Sequence, residues 1–115
     1  MISMDINGKQ IIEALFQILN HFVDRDYQEK AWIRGEAADF DESVCLFFDI
    51  SDPIIKNYEQ FEITKNQYRI LMHFHNEFRT FSKENDWPSE FLDTPKWSKI
   101  ISMAKEVLEA FHYPA

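Results

Sequence analysis

The segment from Glu36 to Glu62, EAADFDESVCLFFDISDPIIKNYEQFE, combines two properties that few folded elements satisfy together. It holds eight carboxylates (Glu36, Asp39, Asp41, Glu42, Asp49, Asp52, Glu59 and Glu62) against one base, Lys56, a balance of −7 in a chain whose total is −8. It also holds Phe40, Val44, Leu46, Phe47, Phe48, Ile50, Ile54, Ile55, Tyr58 and Phe61. A solvated acidic tail lacks such residues. The segment must therefore bury one side and present a negative field on the other, with the nearly neutral remainder of the chain as its scaffold.

Helix signals dominate that remainder. Asn7 as cap, Gln10 at the third position and an Ile6–Ile11 staple predict a helix start near residue 7. Ile11, Ile12, Leu15, Phe16, Ile18, Leu19, Phe22 and Val23 then recur at three and four residues, so the helix should end at Val23 or Asp24. Tyr27, Ala31 and Trp32 continue a helical spacing over 26–34, stopped by Gly35. Thr64 with Gln67 is a capping box and Ile63 with Tyr68 a staple; the stripe Gln67, Leu71, Phe74, Phe78, Phe81 follows. Asn85-Asp86 should end this helix, with one further turn at 88–92. Thr94-Pro95 starts a last helix through Trp97, Ile100, Ile101, Ala104, Val107, Leu108 and Phe111, ended before Pro114.

Within the acidic segment, Asp39 and Glu42 form a D-x-x-E cap, and Phe40, Val44, Phe47 and Phe48 make an apolar stripe. At about 100° per residue, Asp39, Glu42 and Asp49 fall within roughly 80° of one another, opposite that stripe. The run VCLFF also suits a strand; the cap and the charge wedge favour helix. Asp52-Pro53 reads as a fresh start, with Asp52 as cap and a short helix over about 53–60. The expected fold is all-α, one domain over 1–115, a compact bundle of five or six helices. With glycine only at 8 and 35, tight-turned β architectures are disfavoured and no phosphate-binding glycine loop can form.

The residues offer little chemistry. His73 and His75 are two apart, so on a helix they point about 200° away from each other and cannot share a metal. Asp39, Asp41 and Glu42 lack the glycine and the spacing of a calcium loop, and capping accounts for Asp39 and Glu42. Cys45 makes no internal disulfide, which fits a reducing compartment. Set among carboxylates and phenylalanines, it is expected in the core or half-buried rather than as a nucleophile. No enzyme, cofactor or metal is expected. The first residues have no signal-peptide pattern and no run is long enough to span a bilayer, so a cytoplasmic protein is expected. The negative charge disfavours nucleic acid and anionic membranes and favours a basic partner.

A charge run is often only a solvated face. Here it is concentrated and interleaved with aromatics, a combination suited to capture of a basic protein surface. The partner-binding set expected is Glu36, Asp39, Asp41, Glu42, Asp49, Asp52, Glu59, Trp32 and Tyr58; Trp32, Tyr58 and, outside this set, Trp87 lie in or beside loop-adjacent segments, where an aromatic can be an interface anchor. Trp32, the run DFDESVCLFFDISDP at 39–53, ITKNQ at 63–67 and TPKW at 94–97, in a small acidic helical chain, resemble the immunity proteins of bacterial contact-dependent growth inhibition and related polymorphic toxin systems. The resemblance implies no catalysis. It implies one cognate toxin domain, commonly a nuclease with a basic cleft, neutralised in a one-to-one complex. An adaptor for a basic protein and a small-molecule-binding bundle are the alternative readings.

Overall fold

The computed structural model describes residues 6–112, and all regular structure among them is helical. The elements are α1 (Ile6–Val23), α2 (Arg25–Gln28) running into a π-helical turn (Glu29–Ile33), α3 (Phe40–Lys56), a 3-10 turn (Tyr58–Phe61), α4 (Lys65–Glu84), the single turn α5 (Pro88–Phe91) and α6 (Pro95–Ala110). The expected Asn7 cap and Ile6 staple involve side chains outside the described residues.

The caps form as the sequence dictates. Thr64 and Gln67 exchange both bonds of the capping box, at 2.8 and 3.0 Å. Asp39 Oδ1 accepts from the Glu42 N–H at 2.8 Å, and Thr94 Oγ1 from the Trp97 N–H at 3.3 Å, with Pro95 at the first helical position. Gly35 sits at φ +70°, and the Glu36 N–H closes the preceding wide turn on Lys30 O at 3.0 Å. An added Cβ at Gly35 would meet nothing within 4 Å, so it is the left-handed backbone that calls for glycine here.

One core joins α1, α3, α4 and α6. Phe22 of α1 lies at its centre, with ring contacts to Trp32, Phe47, Phe74 and Phe78. A second aromatic group, Phe40, Phe81, Phe91 and Trp97, packs α5 onto the ends of the long helices. Gln28 is buried within this core and bonds on three sides: its Nε2 donates to His21 O and Phe22 O at 3.0 and 2.9 Å, and its Oε1 accepts the Trp97 indole N–H at 3.4 Å.

The acidic segment is helical, and it does not restart at Asp52-Pro53. α3 runs through Pro53 to Lys56, and Tyr58–Phe61 is a 3-10 turn rather than the end of a separate helix. An interior proline costs a helix about 3 kcal/mol or more. Against that, Phe40, Ser43, Phe47, Ser51 and Ile54 form one continuous buried stripe across the proline. Breaking the helix at Asp52 would swing Ile54 and the half-buried Ile55 off the core, each worth about 1.5–3 kcal/mol when fully buried. The ladder resumes at once, with the Asn57 N–H donating to Pro53 O at 3.1 Å.

Candidate interaction surface

The buried stripe of α3 decides what its opposite side presents. With Phe40, Ser43, Phe47, Ser51 and Ile54 inward, the solvent side carries Asp41, Glu42, Cys45, Leu46 and Asp49, all exposed. Glu42 and Asp49 are seven residues apart, so they stand almost in line, about 10 Å apart along the axis. Leu46, 48% exposed, lies between them. Cys45 is exposed too, contrary to the core or half-buried position expected from its neighbours. On a helix Phe47, two residues on, points about 200° away from Cys45, so its burial in the core leaves the thiol in solvent.

The carboxylates differ in how they are used. Outside the segment, Arg25 holds Asp93 at 2.9 Å and Glu29 at 3.4 Å, and Lys99 holds Glu77 at 3.5 Å. At its edge Arg34 pairs with Glu36 at 3.0 Å. Among the described residues, Asp39, Asp41, Glu42, Asp49, Glu59 and Glu62 form no ion pair at all. The field of Glu42 reaches the Tyr27 phenol, whose pKa is raised first by burial and further by that charge.

Asp52 is not the cap expected of it, because α3 runs through it, and its side chain reaches across to α4. Its Oδ1 lies 3.0 Å from Nε2 of the buried His75 on α4. A carboxylate only accepts, so His75 carries its proton on Nε2 in this bond. Arg79 lies over the Phe48 ring at 4.7 Å beside the same pair. The cluster ties α3 to α4, though the Asp52 side chain stays 48% exposed. His73, two residues before His75, is exposed, as the helical geometry requires.

The three aromatics expected as anchors separate. Trp32 is buried in the core and its indole N–H donates to Ser43 Oγ at 3.3 Å, so it is no exposed anchor. The π-helical turn directs Trp32 inward and leaves Ile33 outward, 46% exposed. Tyr58 is half-buried, stacked on Tyr68 with ring centroids 4.3 Å apart. Trp87 is 64% exposed.

Trp87 flanks a groove of about 270 Å³ whose walls come from three stretches of chain. Trp32 and Ile33 enter from the π-helical turn, Asp39, Phe40 and Asp41 from the start of α3, and Asp86, Trp87, Pro88 and Ser89 from the start of α5. Asp86, Leu46 and Ile33 are absent from the sequence-based set; an aspartate beside a Trp-Pro step after a helix end is the available signal for the first. Among the described residues no three His, Cys, Asp or Glu side chains converge to hold a metal, and no helix is long and apolar enough to cross a membrane. Compared with protein families, with characterised proteins and with solved structures, the chain matches none.

Proposed function

We propose that this protein captures a basic protein surface and neutralises it, in the manner of an immunity protein bound one-to-one to a cognate toxin domain. The observation that carries the reading is the unpaired acid of α3. The chain places cations against acids elsewhere and leaves Asp41, Glu42 and Asp49 in solvent without one. Exposed like charges on one helix repel, so they are a standing cost that a basic partner relieves. Leu46, half-exposed in their midst, supplies an apolar contact to hold the complex once formed. A nuclease cleft shaped for phosphates is the partner this surface fits best, because a rigid row of carboxylates imitates a phosphate backbone.

The test pairs the parent with Glu42→Lys/Asp49→Lys. Each protein is immobilised at low salt, the captured partner is identified and purified, and its affinity and nuclease activity are measured. The parent should bind one-to-one and inhibit. The double reversal should weaken binding by at least about a hundredfold, since like-charge contacts cost several kcal/mol and 1.4 kcal/mol is tenfold. A Lys105→Glu control on α6, exposed, should bind as the parent does. Glu42 lies in the first turn of α3, where a lysine opposes the helix dipole by about 0.3–1 kcal/mol, so melting temperatures are read alongside. A folded double reversal that binds as tightly as the parent overturns the proposal.

A further inference from the structure

We infer that the groove between the π-helical turn, α3 and α5 seats an arginine side chain of the protein partner. The inference rests on the proposed capture of a basic protein and names the feature of that partner which the groove reads. The lining is largely apolar, with the buried rings of Trp32 and Phe40 and the exposed side chains of Ile33 and Trp87. Three carboxylates line it, Asp39, Asp41 and Asp86, and no lysine or arginine does. Arg34, next to Ile33 in the chain, is paired with Glu36 at 3.0 Å.

The sign of the occupant follows from weighing the charges. The N-terminus of α3 contributes about half a positive charge, and the Glu42 N–H is already satisfied by Asp39. Three carboxylates outweigh that, so the groove favours a cation. Its composition favours arginine over lysine. A guanidinium is planar and weakly hydrated, stacks on an indole face and offers several donors to separate carboxylates. An ammonium is a compact, strongly hydrated charge that gains less from an apolar lining. Buried arginine contacts with aromatic neighbours are the usual energetic centres of protein interfaces.

The probes are three blocked glycine-rich peptides, each with one central residue: arginine, lysine or norleucine. They are titrated to millimolar levels into nitrogen-15-labelled protein, and the Trp87 indole N–H resonance, assigned with Trp87→Phe, is followed. The arginine peptide should shift it saturably, the lysine peptide several-fold more weakly, and norleucine not at all. Asp41→Asn/Asp86→Asn should weaken the arginine peptide by about tenfold or more, the effect of losing charge-assisted bonds. Asp39 is left intact because it caps α3. Equal responses to arginine and lysine, no saturable response to arginine, or an unchanged affinity in the folded double variant would each overturn the inference. The peptides do not involve Glu42 or Asp49. Loss of arginine binding with partner capture intact therefore refutes the groove alone, and loss of the α3 effect with peptide binding intact refutes the capture reading.

Discussion

Trp32 donates its indole N–H to Ser43 Oγ across 3.3 Å, joining the π-helical turn to α3 inside the core. Both residues are buried, and the bond holds one wall of the groove in register with the acidic helix. Trp32→Phe leaves the serine hydroxyl unpaired, and Ser43→Ala leaves the indole N–H unpaired. Each should cost about 1–3 kcal/mol in urea unfolding. The double variant should cost less than the two added together, because it removes both halves of one bond. Strict additivity would show that the pair is not coupled.

Gln28 should be among the most sensitive polar positions. Its amide satisfies two carbonyls in the last turn of α1 and accepts from Trp97 of α6. Gln28→Leu keeps the volume and leaves the Trp97 indole N–H and two carbonyls without these partners. Destabilisation of about 2–4 kcal/mol in denaturant unfolding is expected, the sum of modest individual losses in a site closed to water.

Stability should fall with acid through His21. Burial lowers its pKa below the usual 6.5, an effect that the nearby Asp24 only partly offsets, and its Nδ1 has no partner among the described residues. The fold thus holds the neutral ring, stacked on Tyr27 at 3.8 Å, and the unfolded chain takes up the proton first. The resulting stability is fully present above about pH 6.5 and is lost as the pH drops toward the depressed folded-state value. His21→Phe keeps the stack and removes the titration. Its unfolding free energy should depend less steeply on pH between about 7 and 5 than the parent's. An unchanged slope would contradict a neutral, half-buried His21.

Partner capture should depend on salt mainly through its on-rate. The Debye length falls from about 10 Å at 0.1 M to about 3 Å at 1 M. If the proposed complex forms, association driven by Asp41, Glu42 and Asp49 should slow strongly over that range, and dissociation should change little, because the exposed Leu46 and Trp87 would supply apolar contacts that salt does not screen. Cys45, exposed beside Glu42 and Asp49, gives a direct footprint. Its alkylation rate should drop when the partner is bound, and an undiminished rate would place the partner elsewhere.

The segment around α3 shows how far local signals reach. Asp39, Thr64 and Thr94 cap the helices they were expected to cap, because a cap is decided within four residues. Pro53 misled for the same reason. Asp52-Pro53 is a good local start, and only the distant surface that buries Ile54 outweighs it. The exposure of Cys45 and the burial of Trp32 depend on which side of each helix meets the core, and the residue types around them in the chain do not carry that information.

From the sequence alone come the helical class, the caps at Asp39, Thr64 and Thr94, and the necessity that 36–62 bury one side and expose a negative one, since composition and short-range spacing dictate these. The tertiary structure alone decides that Asp52 turns to His75 and that Asp86 and Trp87, about forty-five residues along the chain, come up against Asp39 and Asp41. The first follows from the packing of α3 against α4 through Phe47, Phe74 and Phe78, and the second from the docking of α5 through Phe91 onto Phe40 and Trp97, long-range packing of aromatic rings that no local pattern encodes.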